Sequence, residues 1–153
     1  MNKNTIFVTG AKGQLGRTLE YYWEDSELAR SSELFLYDID RLDLAQGDVV
    51  EQELNRCKPR TILNMAAYTS VDHAEADKQT AFSINASAVA NLADWASSND
   101  CFLVHISTDF VFDGSKRAPY LPEDHASPLN VYGASKFAGE TALQSRLHDQ
   151  YVI

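Results

Sequence analysis

Apolar residues along the chain follow two alternating patterns. Short continuous apolar runs predict strands buried on both faces, and segments with apolar residues at every third or fourth position predict helices. Strand and helix signals alternate along the whole sequence, which is typical of a parallel sheet covered by helices. The predicted strands are residues 5–9, 34–37, 61–65, 101–107 and 151–153.

Helical segments connect these strands. The third helix is long and places Asn85 and Leu92 on one face. The final helix is predicted to begin at Asn130, a good capping residue, and to end near Leu147. The first helix is expected to turn one apolar stripe toward the sheet. That stripe consists of Leu15, Leu19, Tyr22 and Trp23.

The predicted fold class is α/β, a doubly wound, Rossmann-type parallel sheet in three layers. We interpret the last apolar run, residues 151–153, as a sixth strand that has only begun. The chain is therefore expected to be a single NAD(P)-binding domain, residues 1–153, truncated before a C-terminal substrate domain.

Three glycines, Gly10, Gly13 and Gly16, lie between the first strand and the first helix. Glycines at this place let the turn tighten and let the backbone approach a pyrophosphate that rests on the helix N-terminus. The spacing GxxGxxG is one residue wider than the common dinucleotide pattern. A glycine-rich turn needed only for packing is the alternative, but the position within the first βαβ unit favours a cofactor loop.

Asp38 ends the second strand, 22 residues after Gly16. A carboxylate there accepts hydrogen bonds from an adenosine ribose, and a simple strand-end turn residue is the alternative. Its charge disfavours a 2′-phosphate, which Arg41, with Arg17 nearby, could offset. The predicted cofactor is therefore NADH or NADPH, with the preference left open.

Tyr132 and Lys136 are four residues apart in the last helix and so share a face. An ammonium beside a phenol favours the phenolate, so such a tyrosine could exchange a proton while hydride reaches a ketone carbon. Ser107 and Thr108 lie where the fourth strand ends, in the crevice where open α/β sheets bind ligands. Either hydroxyl could bond a substrate carbonyl or only satisfy the following turn.

Charge and composition exclude other classes. The 153 residues carry a formal net charge of −9, which repels nucleic acid and anionic lipid, so neither is an expected partner. Without a signal peptide, a membrane span or paired cysteines, the expected location is cytoplasmic. The acidic residues around His73 fit no compact ligand set, so no metal is predicted. His105 is expected to be a core histidine with one partner.

Four segments resemble, in order and spacing, the dTDP-4-dehydrorhamnose reductase family of extended short-chain dehydrogenase/reductases. The likeness covers essentially the whole chain, and the last two segments are far more specific than a glycine pattern. The four are residues 10–16 (GAKGQLG), 64–72 (NMAAYTSVD), 107–114 (STDFVFDG) and 128–136 (PLNVYGASK).

The resemblance implies NAD(P)H-dependent reduction of the 4-keto group of a nucleotide sugar, dTDP-4-dehydro-L-rhamnose to dTDP-L-rhamnose. By motif position, Thr108, Tyr132 and Lys136 are implied to be catalytic. Asn85 matches a family asparagine, which we interpret as holding neighbouring backbone. The sugar is expected near Thr69, Val71, Asp72 and Thr108. The cofactor-lining positions, from the resemblance and the motifs above, are Gly10, Gly13, Gln14, Leu15, Gly16, Asp38, Asp43, Leu44, Ala66, Ala67, Tyr68, Ser107, Tyr132 and Lys136.

The sequence also departs from the family pattern. Phe110 stands where tyrosine is usual, and Pro122 stands where an acidic residue is expected. Because family members continue well beyond this length, the chain alone is expected to bind dinucleotide weakly and to be inactive. Two alternatives remain open: a related nucleotide-sugar epimerase or dehydratase, and a dinucleotide-binding regulatory subunit like that of methionine adenosyltransferase. A homodimer is also left open.

Overall fold

The computed structural model describes residues 4–153, so residues 1–3 of the predicted domain lie outside it. Five strands form one parallel sheet in the order β2-β1-β3-β4-β5. The apolar runs of the sequence account for all five, which makes the last run the fifth strand of the described chain rather than a sixth. The strands are β1 Asn4–Thr9, β2 Ser32–Leu36, β3 Thr61–Asn64, β4 Phe102–His105 and β5 Tyr151–Val152.

Helices fill the connections between the strands. The long third helix of the sequence prediction is α4 and α5 joined by a π-helical turn, Ser83–Ser87. Short 3₁₀ turns occupy Glu27–Arg30 and Asp109–Val111. The α-helices are α1 Gln14–Trp23, α2 Gly47–Cys57, α3 Val71–Ala74, α4 Lys78–Phe82, α5 Ala88–Ser98 and α6 Val131–Arg146.

The connections reverse direction once. The chain moves from β1 to β2 toward one edge and then from β2 to β3 toward the other edge. Because parallel crossovers are right-handed, α1 covers one face of the sheet while α2, α5 and α6 cover the other. This arrangement confirms the Rossmann-type fold, with its switch point between β1 and β3.

The main core lies between the sheet and the three helices on the second face. Strand side chains Phe7, Ile62 and Leu103 are each fully buried there. They are neighbours across the sheet, since Phe7 pairs with Ile62 and Ile62 with Leu103. The helix side chains that meet them include Leu54, Leu92 and Leu143.

The predicted stripe of α1 is buried much less than expected. Leu15 is 51% exposed and Tyr22 is 61% exposed, and Leu19 and Trp23 are half-buried. Among residues 4–153, α1 stands alone on its face of the sheet, so no neighbouring helix covers the flanks of the stripe. Gly16 is the buried residue of α1, where the helix lies closest to the preceding loop.

Candidate cofactor and active site

A cleft of about 860 Å³ opens at the carboxyl ends of the strands, beside the switch point. Most of the predicted cofactor residues line it, although they come from five separate parts of the chain. The predicted site residues that do not line this cleft are Gly16, Val71, Asp72 and Thr108. The predicted residues that do are Gly10, Gly13, Gln14, Leu15, Asp38, Asp43, Leu44, Ala66, Ala67, Tyr68, Thr69, Ser107, Tyr132 and Lys136.

The glycine loop forms one end of the cleft. Gly10 has a φ of 68°, and a Cβ there would lie 2.7 Å from the backbone nitrogen of Ala66. A Cβ on Gly16 would lie 2.3 Å from the carbonyl oxygen of Ala11. Both positions therefore require glycine, and Gly16 acts by closing the helix onto the loop rather than by lining the cleft. No side chain within residues 4–153 caps α1, so its first-turn N–H groups are available to an anion.

Asp38 is fixed by backbone donors on both of its carboxylate oxygens. Oδ2 accepts a hydrogen bond from the N–H of Lys12 at 2.7 Å, and Oδ1 accepts one from the N–H of Ile39 at 2.9 Å. The side chain of Lys12 bonds Asp40, with 2.5 Å between Nζ and Oδ2. Asp38 thus joins the end of β2 to the glycine loop, and each oxygen retains lone-pair capacity for a further hydrogen bond.

Lys136 is buried in the wall of the cleft, with only 1% of its surface exposed. Its Nζ donates to the carbonyl oxygen of Ile106 at 2.5 Å and lies 3.4 Å from Nε2 of His105. Burial lowers the pKa of Lys136 to about 8, partly opposed by the negative charge of Glu140. An amine with that pKa exchanges protons close to neutral pH.

Tyr132 lies one helical turn before Lys136 and lines the same cleft, as the four-residue spacing predicts. Tyr132 is 9% exposed, and its ring packs edge-on against Phe110, with 5.6 Å between ring centroids. Asn130 caps the helix just before it, since its Oδ1 accepts from the N–H of Gly133 at 2.7 Å. The capping residue predicted from the sequence is therefore confirmed.

The two hydroxyls after β4 have different surroundings. Ser107 lines the cleft and donates to the carboxylate of Glu140 on α6. Thr108 caps the following 3₁₀ turn, where its Oγ1 accepts from the N–H of Phe110 at 3.3 Å and donates to Asp109. In the described chain Thr108 makes the turn contact that the sequence raised as the alternative to a substrate contact.

Asn85 holds the loop after β3, as the sequence interpretation proposed. Its Oδ1 accepts from the N–H of Tyr68 at 2.9 Å, and its Nδ2 donates to the carbonyl oxygen of Tyr68 at 3.0 Å. The same Nδ2 donates to Oγ of Ser135, which in turn donates to the carbonyl oxygen of Tyr132. This chain of bonds ties the cofactor-side loop to the helix that carries Tyr132.

The residues expected near the sugar are spread over a wider area. Thr69 lines the cleft, while Val71 packs against a small cluster that contains Tyr132. Asp72 is exposed on α3. No described group of three or more His, Cys, Asp or Glu side chains is arranged to hold a metal ion.

Sequence reasoning missed several residues of the cleft and of its support. Tyr37 stacks on Phe7 with 4.5 Å between centroids, and its hydroxyl donates to Glu53 at 2.5 Å, which ties α2 to the end of β2. His105 has two partners, Asn64 and Lys136, rather than the expected one. Most of the other missed lining residues stand directly before or after a predicted site residue in the sequence. That adjacency was the signal that could have found them. Further lining residues are Thr9, Lys12, Tyr37, Ile39, Leu42, Ala45, Met65, Thr80, Ile84 and Ile106.

A parallel sheet with its switch point at a glycine loop, and a cleft of nucleotide size beside it, defines a Rossmann-type domain. The chain belongs to the family described as RmlD substrate binding domain, whose model matches residues 4–153. No helix among those residues has the length and apolar character needed to span a membrane.

Curated relatives support this membership. A dTDP-4-dehydrorhamnose reductase of Aggregatibacter actinomycetemcomitans is 41% identical over 138 residues, covering 90% of this chain and 46% of the relative. A dTDP-4-keto-6-deoxy-D-glucose reductase of Streptomyces niveus is 39% identical over 148 residues, covering 95% and 49%. The chain spans about half the length of the curated relatives it matches.

A solved structure extends the likeness to the fold. The dTDP-4-dehydrorhamnose reductase of Bacillus anthracis, crystallised in complex with NADP, superposes with a TM-score of 0.89 at 35% identity. The match covers 99% of this chain and 52% of that one. It therefore includes the whole described sheet and the cleft beside its switch point.

Proposed function

We propose that the protein uses NADH or NADPH to reduce the 4-keto group of a nucleotide sugar, dTDP-4-dehydro-L-rhamnose, to give dTDP-L-rhamnose. Residues 1–153 form its NAD(P)-binding domain, and a further domain supplies the rest of the sugar site. One observation carries the proposal: Tyr132 and a buried Lys136 line the same cleft as the glycine loop and Asp38. The side chains that could exchange a proton therefore line the same cleft as the residues that fit a dinucleotide.

The residues present fit a dinucleotide. Backbone packing leaves no room for a side chain at Gly10, and the uncapped N-terminus of α1 offers N–H donors to a diphosphate. Asp38, held by two backbone donors, would accept hydrogen bonds from the adenosine ribose. When bound, the nicotinamide supplies the hydride that the carbonyl carbon receives.

Side chains of this chain would supply the proton that the carbonyl oxygen receives. The hydroxyl of Tyr132 would donate a proton to the carbonyl oxygen as negative charge develops there. Lys136, whose pKa burial lowers to about 8, would carry protons near neutral pH one helical turn away. To orient the carbonyl, the hydroxyl of Ser107, in the cleft, would have to release Glu140, and that of Thr108 would have to release Asp109 and leave its turn contact.

Substrate identity is supported by the relatives. They include reductases named for dTDP-4-dehydrorhamnose and for dTDP-4-keto-6-deoxy-D-glucose, which share a 4-keto, 6-deoxy sugar on dTDP. Dehydrorhamnose is favoured because the four sequence segments resemble that family.

We also propose a cytoplasmic location, supported by the free thiols of Cys57 and Cys101 and by the nucleotide-sugar substrate class. The homodimer stays a prediction, which sedimentation of the full-length protein would test.

The test is an assay of the full-length protein for NADH and NADPH oxidation with dTDP-4-dehydro-L-rhamnose. Turnover is expected with this sugar nucleotide, and Tyr132→Phe is expected to abolish most of it. Tyr22→Phe, at an exposed tyrosine of α1, is the matched control and should retain full activity. Cofactor binding without oxidation for any 4-keto sugar nucleotide would favour the regulatory-subunit alternative and would refute the proposal.

A further inference from the structure

A row of buried polar side chains lies beneath Lys136. Thr9, Asn64 and His105 occupy matching positions on β1, β3 and β4, since Thr9 pairs with Asn64 and Asn64 with His105. Each of the three is 1% exposed, as is Lys136 above them on α6. Burying four polar groups together costs free energy unless their hydrogen bonds are complete, so the directions of those bonds are constrained.

The bonds run in one direction along the row. The N–H of Ala66 donates to Oγ1 of Thr9 at 3.3 Å, and that hydroxyl donates to Oδ1 of Asn64 at 2.6 Å. The amide nitrogen of Asn64 is therefore left to donate to Nδ1 of His105, at 2.9 Å. Burial, with Lys136 nearby, lowers the pKa of His105 to about 3, so the ring is neutral. A neutral imidazole whose Nδ1 accepts a hydrogen bond carries its proton on Nε2.

The proton on Nε2 points toward Lys136, whose Nζ lies 3.4 Å away. An ammonium at Nζ has three N–H donors and no acceptor, so it would face another donor across that contact. A neutral amine has a lone pair and can accept from Nε2–H, while still donating to the carbonyl oxygen of Ile106. The contact is therefore satisfied by one charge state of Lys136 and not by the other.

We propose that Asn64 fixes His105 in the Nε2–H tautomer, and that this pair acts as a positioning device that opposes the ammonium form of Lys136. Its meaning for catalysis rests on the proposed function, because the lysine whose charge it controls is the partner of Tyr132. Neither Asn64 nor His105 lines the cleft. The pair acts through Lys136.

Other titratable groups also surround Lys136. Glu140, on the same helix, favours the ammonium and is itself bonded by Ser107. Tyr132 lies on the same helix, and Tyr68 lines the cleft from the loop after β3. The pKa of Tyr68 is raised by burial and by Asp77, so it stays neutral near pH 7. The pair of Asn64 and His105 thus acts in the same direction as burial, which lowers the pKa of Lys136, and in the opposite direction to Glu140.

The tautomer can be read directly by ¹⁵N NMR of the full-length protein labelled at histidine. We expect the His105 ring to show an unprotonated Nδ1 and a protonated Nε2 at pH 7. This measurement uses the wild-type protein and needs no substitution. A protonated Nδ1, or a cationic ring, would overturn the proposal.

The effect on Lys136 can be measured with Asn64→Asp. A carboxylate must accept from Nδ1–H, so the ring tautomer reverses and Nε2 becomes an acceptor for the ammonium. We expect the pKa of Lys136, followed by ¹³C NMR of its side chain, to rise by about one unit or more, a tenfold change in the protonation equilibrium.

The same substitution in a His105→Phe background separates the tautomer from the added charge. The pKa rise that Asn64→Asp causes at Lys136 should fall to less than half when the imidazole is absent. An equal rise in both backgrounds would mean that the charge of the new carboxylate acts alone, and would overturn the proposal. Neither measurement uses a sugar substrate. A failure of the proposed reductase function can therefore be distinguished from a failure of this proposal. In the active enzyme, Asn64→Asp should also move the pH profile of kcat to higher pH.

Discussion

Lowering the pH should destabilise the protein through His105 in particular. His105 is 1% exposed, and burial lowers the pKa of its imidazole from 6.5 to about 3. In the unfolded chain the same ring takes up a proton as the pH falls below 6.5, while the folded ring stays neutral. The unfolded state therefore binds more protons in this range, and the free energy of unfolding falls as the pH falls.

The size of this effect follows from the two pKa values. pH 5 lies about 1.5 units below the unfolded pKa and well above the folded value of about 3. At roughly 1.4 kcal/mol per unit, the folded state loses about 2 kcal/mol between pH 7.5 and pH 5 from this ring alone. The loss continues until the pH approaches 3, where the folded ring also protonates.

Urea unfolding of wild-type protein and His105→Gln at pH 7.5 and pH 5 measures the effect. Glutamine does not titrate, so the variant should lose about 2 kcal/mol less than wild type between the two pH values, whatever its stability at pH 7.5. His125→Gln, at an exposed histidine, is the matched control and should follow wild type. If His105→Gln and wild type lose the same amount, His105 is not a neutral buried ring and the reasoning fails.

Three further predictions concern the cleft. Tyr132→Phe should lower kcat at least about 100-fold while leaving the Kd for cofactor within about twofold, because the phenol acts where charge develops in the transition state. Asp38→Ala should weaken NADH binding about tenfold and NADPH binding less, since the carboxylate bonds a ribose diol but repels a phosphate. Gly10→Ala should destabilise the fold by more than about 2 kcal/mol, because a left-handed φ costs about 1 kcal/mol and the new Cβ would meet the backbone of Ala66 at 2.7 Å.

Each of these has its own check. Wild-type turnover in Tyr132→Phe would remove the phenol from the mechanism. Equal losses for both cofactors in fluorescence titrations would reduce Asp38 to a structural residue. Gly114→Ala is the matched control for Gly10, because its φ is 71° and its Cβ would have open space. It should cost only about 1 kcal/mol in urea unfolding, and an equal cost at both sites would contradict the steric argument.

The sequence was sufficient to predict the fold because local patterns determine it. Each apolar run became a strand, and the predicted glycine loop lies at the switch point of the sheet. Asn130 was identified as a helix cap from residue type alone, and its side-chain bond confirms it. The four-residue spacing of Tyr132 and Lys136 predicts a shared helix face, and both residues line one cleft.

The remaining features depend on contacts between distant parts of the chain. The sequence predicts an ordinary core histidine at His105 because the link to Asn64 depends on the register between β3 and β4, which no local pattern reveals. Leu15 and Tyr22 fit a buried stripe, yet burial also depends on which elements cover that face. Thr108 and Ser107 are adjacent in sequence, and only the turn after β4 decides which of them enters the cleft.

The most direct test of the central claim is isotope transfer. Full-length protein would be incubated with NADPH carrying deuterium at C4 of the nicotinamide, using each stereoisomer in turn, together with dTDP-4-dehydro-L-rhamnose. We predict dTDP-L-rhamnose with one deuterium at C4 of the sugar from one of the two stereoisomers, detected by mass spectrometry and NMR. Protein that binds NADPH but leaves the sugar nucleotide unreduced, or product without deuterium from either stereoisomer, would contradict the account.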